Sequence, residues 1–399
     1  MPGFEMFGEE EKKEIQDVLD TGVLFRYEFG EQRNDTYKVL EFEKAFARYT
    51  GAGYAQAVTS GTAALKVALS ALGVAAGDEV ITQCFTFVAT WEAILDIGAI
   101  PVFTEVDTTL NMDPADLEQK INDKTRAIIL VHMLGAQARV EEIRAIADRH
   151  GIALIEDTAQ AAGGRLNGQH LGTFGACGTF SFDSVKTLTT GEGGMCITHD
   201  ERLWRAMSEY HDHGHDHLPN PGGRGGELRS FIGFNYRMME LQGAIGLAQL
   251  AKLDTMIAAQ QANKNILKEA VSKLPGVSFR EILDERGDSA TFLAFMFPTR
   301  ERADQVNAVL REQNAGAINW GENNWHFYPR WEHLLDSKTL CHNGWPFKEN
   351  GKRRYHYDPQ ALPQSVGILE RTLCYPVPVR LEDSARDRIC KAVDVAAAS

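Results

Sequence analysis

Apolar runs and helical repeats alternate along the first 255 residues. The runs YAQAVTS (54–60), DEVITQ (78–83), IPVFTEV (100–106), RAIILVHM (126–133), IALIED (152–157), CGTFSF (177–182) and GGMCIT (193–198) are short and rich in β-branched and aromatic residues. That pattern predicts strands buried on both faces of one parallel sheet. Between several of them lie AALKVALSALG (63–73), FVATWEAILDIG (87–98) and VEEIRAIADRHG (140–151), where the apolar positions follow a helical period. Gly73, Gly98 and Gly151 close these repeats, as C-cap glycines do. Strand, helix, strand at this spacing predicts an α/β fold with helices on both faces of a mostly parallel sheet. Ligands in such sheets bind beyond the carboxyl ends of the strands. The residues at those ends are Ser60-Gly61-Thr62, Phe85-Thr86-Phe87, His132, Glu156-Asp157 and Ser181.

The stretch 211–230, HDHGHDHLPNPGGRGGELRS, is too irregular for a packed element and reads as a long loop. A helical run over 238–274 leads out of the first unit. The remainder mixes strands such as ATFLAFMFP (290–298) with helices such as RADQVNAVLREQNAG (302–316). The expected division is a large domain over 1–255 and a smaller α/β domain over 256–399.

Charge and cysteine content narrow the function. Lys plus Arg is 41 and Asp plus Glu is 55, a net charge of −14. That argues against a nucleic-acid partner, which needs a basic face. No run of 18 apolar residues is present, so no membrane span is expected. The N-terminal MPGFEMFGEEEKKEIQDVL is acidic and amphipathic, unlike a secretory signal. The six cysteines are scattered without a C-x-x-C pair, so neither a disulfide framework nor a structural metal is expected. These features predict a cytoplasmic protein with reduced thiols. Neither G-x-x-x-x-G-K-[ST] nor a strand-following G-x-G-x-x-G occurs, which argues against a P-loop or dinucleotide fold.

Four features at the strand ends point to chemistry. Lys186 follows a buried strand and precedes a glycine-rich turn; alone it reads as a solvated lysine, but desolvation makes a lysine a nucleophile toward carbonyls. Asp157 ends an apolar strand, where it either caps the next segment or faces a pyridinium nitrogen. Ser60-Gly61-Thr62 opens a helix, where free amides suit a phosphate. Phe87 is either core or a platform for a flat ring. Together they form a binding set for pyridoxal 5′-phosphate.

The motifs LEFEKAFARYTGAGYAQAVTSGTAAL (40–65), FTFVAT (85–90), GAIPVFTEVD (98–107), KTRAIILVHMLG (124–135), IEDTAQAAGG (155–164), GTFSFDSVKTLTTGEGGM (178–195) and GFNYRMMELQGAIGLAQL (233–250) resemble those of the DegT/DnrJ/EryC1/StrS sugar aminotransferases. The resemblance implies the aspartate-aminotransferase type of fold (fold type I) and pyridoxal 5′-phosphate as cofactor. It implies that Lys186 holds the cofactor covalently and shuttles protons, and that Asp157 pairs with the ring nitrogen. Gln160 would lie near the ring hydroxyl, Phe87 would stack on the ring, and Gly61, Thr62 and Ser181 would hold the phosphate. Asn235 would reach the phosphate of a neighbouring subunit, which implies a homodimer with shared sites. L-glutamate would be the amino donor and a sugar carbonyl the acceptor.

Family members that are dehydratases carry His at the lysine position, and Lys186 disfavours that branch. On the substrate side, His213-Gly214 matches a His-Gly of the family, so the histidines of 211–217 are expected to cover substrate rather than bind metal. The segment NWGENNWHFYPRWEHLL (319–335) would line the acceptor site. The substrate candidates are His213, His215, Arg237, Trp325, His326, Tyr328 and Arg330; Arg26, Arg237 or Arg330 would grip a carboxylate. The His-rich loop and the Trp-His-Tyr segment look most like those family members that aminate the C8 aldehyde of an oxidised 3-deoxy-manno-octulosonate for lipopolysaccharide. The alternatives are a nucleotide-linked 3-keto or 4-keto deoxysugar as acceptor, or lyase or dehydratase chemistry on the same fold.

Overall fold

The computed structural model describes residues 3–217, 226 and 228–399. Two helices, α1 (Glu9–Thr21) and α2 (Lys38–Thr50), precede the alternating part. There follow β1 (Tyr54–Val58), α3 (Gly61–Ala71), β2 (Glu79–Gln83), α4 (Val88–Asp96), β3 (Ile100–Thr104), α5 (Pro114–Lys120), β4 (Thr125–Val131), α6 (Val140–His150), β5 (Ala153–Asp157), β6 (Cys177–Ser181) and β7 (Gly194–Thr198). The strands form one sheet in the order β1-β7-β6-β5-β4-β2-β3. Each of the seven expected strands is present.

One expectation needs correction. β7 runs antiparallel to both of its neighbours, β1 and β6, whereas the other pairings are parallel. A parallel neighbour needs a crossover, usually a helix. The connection 182–193 contains none. Instead, Phe182 and Gly193 bond across its base (2.9 Å), and Thr190 bonds back to Phe182 (2.9 Å), so the chain returns as a broad hairpin.

The sheet is covered on both faces, and strand alternation decides which residue meets which helix. Ala127, Ile129 and Ile155 pack with α3, α4 and α7 (Glu201–Tyr210). Ile128, Leu130 and Leu154 pack with α5 and α6. Near β1, β6 and β7, Phe42 and Phe46 of α2 and Leu250 and Leu253 of the long α8 (Glu240–Val271) close a third cluster. Helix α8 carries the chain past position 255 without a break.

Beyond α8 lie β8 (Ser278–Phe279), β9 (Phe292–Met296), α9 (Arg300–Glu312), β10 (Ile318–Asn319), α10 (Pro363–Leu369), β11 (Thr372–Pro376) and α11 (Asp383–Ala398). Their strands form an antiparallel sheet in the order β8-β9-β11-β10. The segment after β10 then crosses onto the carboxyl end of β2. There Thr86 N donates to His326 O (2.9 Å), Val88 N to Trp325 O (3.0 Å) and Tyr328 N to Cys84 O (3.0 Å). A shared apolar cluster, including Phe85, Trp91, Phe103, Phe292, Phe327 and Trp331, seals the contact.

The end of β5 carries two carboxylates on successive residues, which a strand must point to opposite faces. Glu156 is fully buried on the α6 side. It accepts from Gly172 N (2.8 Å), Phe174 N (2.6 Å), Gly175 N (2.8 Å) and His132 Nε2 (3.0 Å). One side chain thus holds the loop that enters β6. Glu156→Ala strips three buried amides of their acceptor, each costing about 1–3 kcal/mol. The expected outcome is a loss of roughly 3–5 kcal/mol in urea unfolding, with Glu156→Gln retaining part of it.

Candidate active site

Asp157, on the opposite face from Glu156, opens into a cavity of about 220 Å³ beyond the strand ends. Its walls include Ser60, Gly61 and Thr62 at the start of α3, Phe87 before α4, Gln160 after β5, Ser181 at the end of β6, and Lys186. The ends of four strands, β1, β2, β5 and β6, or the turns after them therefore supply one site, beyond the carboxyl edge where sheets of this kind bind ligands. Phe292 of β9, Trp320 and His326 close it from the other side.

Each wall has a local cause. Ser60 caps α3 by accepting from Ala63 N (3.1 Å), and its carbonyl accepts from Ala64 N (3.0 Å). The amides of Gly61 and Thr62 remain as the unpaired first donors of the helix. A Cβ at position 61 would lie 2.7 Å from Ser181 Cβ, so only glycine lets the helix start approach β6 this closely. Asp157 Oδ2 accepts from Thr90 Oγ1 (3.0 Å) and Oδ1 from Ala159 N (3.1 Å). Thr90 is steadied by Thr86 (2.7 Å). Gln160 Oε1 accepts from Leu134 N (2.9 Å), which fixes its amide at the cavity edge. Phe87 is backed by Trp325, stacked at 5.6 Å and 17°.

The charges are unusual for buried groups. Burial pushes the Asp157 carboxyl up from its ordinary value, against the pull of its two donors and the charge of Lys186. Burial pushes Lys186 down, only partly offset by Asp157 and Asp183. Neither forms an ion pair among the described residues. A buried carboxylate with two neutral donors is stabilised by a cationic N–H, and an amine of lowered pKa is available as a nucleophile and base.

A sequence profile of the DegT/DnrJ/EryC1/StrS aminotransferase family matches residues 6–394. The chain belongs to this family. It is 34% identical over 361 residues to the GDP-perosamine synthase of Vibrio cholerae, covering 84% of this chain and 91% of that protein. It is 31% identical to the spore coat polysaccharide biosynthesis protein SpsC of Bacillus subtilis, covering 97% and 94%. Among solved structures, the aminotransferase from Psychrobacter cryohalolentis superposes with a TM-score of 0.82 at 29% identity, covering 98% and 96% of the two chains. The protein is an aminotransferase that works with pyridoxal 5′-phosphate.

The residues present fit that cofactor. The free amides of α3 with Thr62 and Ser181 suit the phosphate. Phe87 suits the ring face, and Asp157 would hold a proton on the ring nitrogen. Gln160 stands at the cavity edge, and Lys186 suits the aldehyde carbon.

The remaining candidates divide. His326 lines this cavity. Trp325 stands behind Phe87 and, with Arg330, borders a neighbouring surface cleft. Arg330 donates to Gly321 O (2.9 Å) and lies 3.8 Å from Glu370. Tyr328 does not line the cavity and is a core residue. It is 3% exposed, and its ring packs on Phe103 (5.0 Å) and Trp331, because the turn at Tyr328–Arg330 folds it inward. Asn235, His213, His215 and Arg237 do not line the cavity of their own chain. Asn235 accepts from Arg237 N (3.3 Å), and Arg237 is ion-paired with Asp212. Arg26 is likewise committed to Glu43.

His213 is exposed with φ 55°. His215, His217 and Asp212 bring one donor atom each within 4.8 Å of one another, with Tyr27 stacked on His217 at 4.1 Å. Part of the 211–230 loop, residues 218–225 and 227, lies outside the described residues. Sequence reasoning missed Thr90 and Trp320. Thr90 was findable, one helical turn after Phe87 in FTFVAT; Trp320 reaches the site only through the tertiary crossing.

Lys186→Ala is expected to lose turnover and to release the cofactor on dialysis, read by its visible absorbance. Asp157→Asn is expected to keep the cofactor bound while turnover falls by about 10²–10⁴-fold.

Proposed function

We propose that this enzyme moves an amino group from L-glutamate to a keto sugar carried on a nucleotide. The observation that carries the reading is the composition of the cavity wall. Around Lys186 it offers aromatic rings, hydroxyls, one imidazole, the carboxylates of Asp157, Asp183 and Glu192, and no arginine among the described residues. The arginines expected to grip an acidic sugar are committed elsewhere, Arg26 to Glu43, Arg237 to Asp212 and Arg330 to Gly321 and Glu370. With Asp183 and Glu192 in the wall as well, this chain's own surface favours a neutral sugar ring at the reacting position, any carboxylate needing a cation from elsewhere. The likeness to GDP-perosamine synthase over 91% of that protein's length supports the same class of acceptor.

The chain's own residues can perform both halves of such a transfer. When bound, the cofactor withdraws electrons from the carbon that loses its proton and carries the amino group between the two substrates. Asp157 keeps the ring nitrogen protonated and so maintains that withdrawal. Lys186 Nζ, made a better base by its burial, takes the proton from the donor Cα. In the second half it delivers a proton to the carbon of the sugar that bears the new amine. Phe87 and Trp325 keep the ring plane fixed, and the walls from both sheets exclude water.

The proposal includes a homodimer. Phe231, Ile232 and Phe234 are exposed, Ile232 at 84%, and they sit beside Asn235, which does not line its own chain's cavity. Covering this apolar strip with a second copy would bring Asn235 to the partner's site. A cytoplasmic setting is part of the proposal, supported by six cysteines that are all free.

L-glutamate alone is expected to bleach the visible absorbance of the holoenzyme with stoichiometric release of 2-oxoglutarate. GDP-4-keto-6-deoxymannose or another nucleotide-linked keto sugar then restores it. Restoration only by 8-oxo-3-deoxy-octulosonate would replace the nucleotide reading with the octulosonate one. Ile232→Glu is expected to halve the mass seen by light scattering and to abolish turnover.

A further inference from the structure

His326 sits in the cavity wall with its protonation state decided by its neighbours. Its Nδ1 lies 3.0 Å from Asn323 Oδ1. That same atom accepts from the backbone N–H of Trp325 (2.9 Å). An N–H can only donate, so the Asn323 atom is the amide oxygen and not the amide nitrogen. An oxygen acceptor in turn requires the proton of His326 to be on Nδ1. Nε2 is left with a lone pair and no partner among the described residues. Burial, reinforced by the charge of Lys186, pushes the ring's pKa down to about 3, so this tautomer stays neutral.

The ring is held firmly. The backbone carbonyl of His326 accepts from Thr86 N (2.9 Å), Phe327 N donates to Asn323 O (3.2 Å), and the rings of Trp320 (4.7 Å, edge-on) and Phe87 (5.2 Å, tilted) lie against the imidazole. Since Asn323 occupies the Nδ1 edge, the edge left for the cavity is Nε2.

A fixed lone pair beside the aromatic rings of Trp320 and Phe87 selects what can sit next to it. A carboxylate has only acceptors and would be repelled. A sugar presents C–H faces to the aromatic rings and O–H donors at its rim. We propose that His326 reads a hydroxyl of the sugar acceptor, taking its O–H at Nε2 and thereby orienting the carbonyl toward Lys186. The inference rests on the sugar-aminotransferase reading and deepens it. The class of acceptor is a keto sugar with a free hydroxyl near the reacting carbon.

The test separates the two half-reactions on the holoenzyme, by single-turnover absorbance with L-glutamate and then with the keto sugar. His326→Leu is expected to leave the glutamate half within about twofold. It should lower kcat/KM for the acceptor half by about 10- to 100-fold, the usual range for one unmet hydrogen bond in a closed site. An intact glutamate half also establishes that the variant is folded. His326→Gln, which still offers an amide oxygen, should recover part of the loss. Wild type should lose a similar factor with one member of a panel of singly deoxygenated acceptors, and His326→Leu should lose nothing further with that member.

Asn323→Asp supplies a readout that packing alone would not move. A carboxylate on Nδ1 raises the imidazole pKa, and below that pKa Nε2 is protonated and cannot accept. The acceptor half should then fall toward acidic pH, whereas wild type shows no such limb. Equal losses in both halves would mean that Nε2 serves Lys186 instead, and would overturn the inference, as would no loss in the acceptor half. A wild-type enzyme that reacts with glutamate but aminates no keto sugar would overturn the sugar reading itself and this inference with it.

Discussion

The last two residues of β5 set the geometry on which the site depends. Because a strand sends successive side chains to opposite faces, Glu156 and Asp157 cannot share an environment. Glu156 goes down to collect three loop amides and His132, which fixes the approach to β6. Asp157 goes up, where among the described residues Thr90 and Ala159 donate to its carboxylate. A register shift of one residue would exchange the two and leave the loop without its acceptor and the cavity without its matching charge. The register is guarded on both sides. Val131 pairs with Asp157 across β4, and Thr179 pairs with it across β6.

The second constraint is the crossing of the chain from the small antiparallel sheet onto the end of β2. Main-chain bonds at Thr86 and Val88 make the 325–328 segment an extension of the large sheet's rim. That crossing backs Phe87 with Trp325, buries Tyr328 as a wedge against Phe103, and delivers His326 to the cavity. A single short segment of four residues therefore does three jobs, and the turn that begins at Tyr328 sends that ring into the core with Phe327 while His326 stays at the cavity.

Much of the large sheet was legible because its strands are buried on both faces and read as near-continuous apolar runs. The strand ends were legible for the same reason: a polar residue that terminates such a run is conspicuous, and Ser60, Asp157 and Ser181 all converge on one cavity. The reversed β7 was not legible, since an apolar run carries no direction and only the helix-free connection 182–193 betrays it. The 319–335 segment was legible as chemistry but not as geometry. Its Trp, His, Tyr and Arg residues look alike on paper, and only the turn at Tyr328–Arg330 sorts Tyr328 into the core and His326 into the site. The carboxylate-gripping roles expected of Arg26 and Arg237 failed to appear within the chain because each had a nearer carboxylate, which composition does not reveal.

Those ion pairs bear on how the site is completed. Breaking the buried Arg26–Glu43 pair would leave a charge stranded in the interior, at a cost of about 3–5 kcal/mol, so that arginine is not free to meet a substrate carboxylate. An amino-acid donor nevertheless brings two carboxylates into a cavity whose single cation, Lys186, is needed for proton transfer. The balancing positive charge or amide donors must then come from outside the described part of this chain's own wall. Asn235 lies beside an exposed apolar strip, and the Asp212–Asn235 bridge ties it to the histidine-bearing turn at 211–217; in the proposed homodimer these two would be the shared elements. The chain thus gathers Lys186 and Asp157 in one cavity but offers, among the described residues, no separate cation there for the donor's carboxylates, a gap that the proposed homodimer would fill.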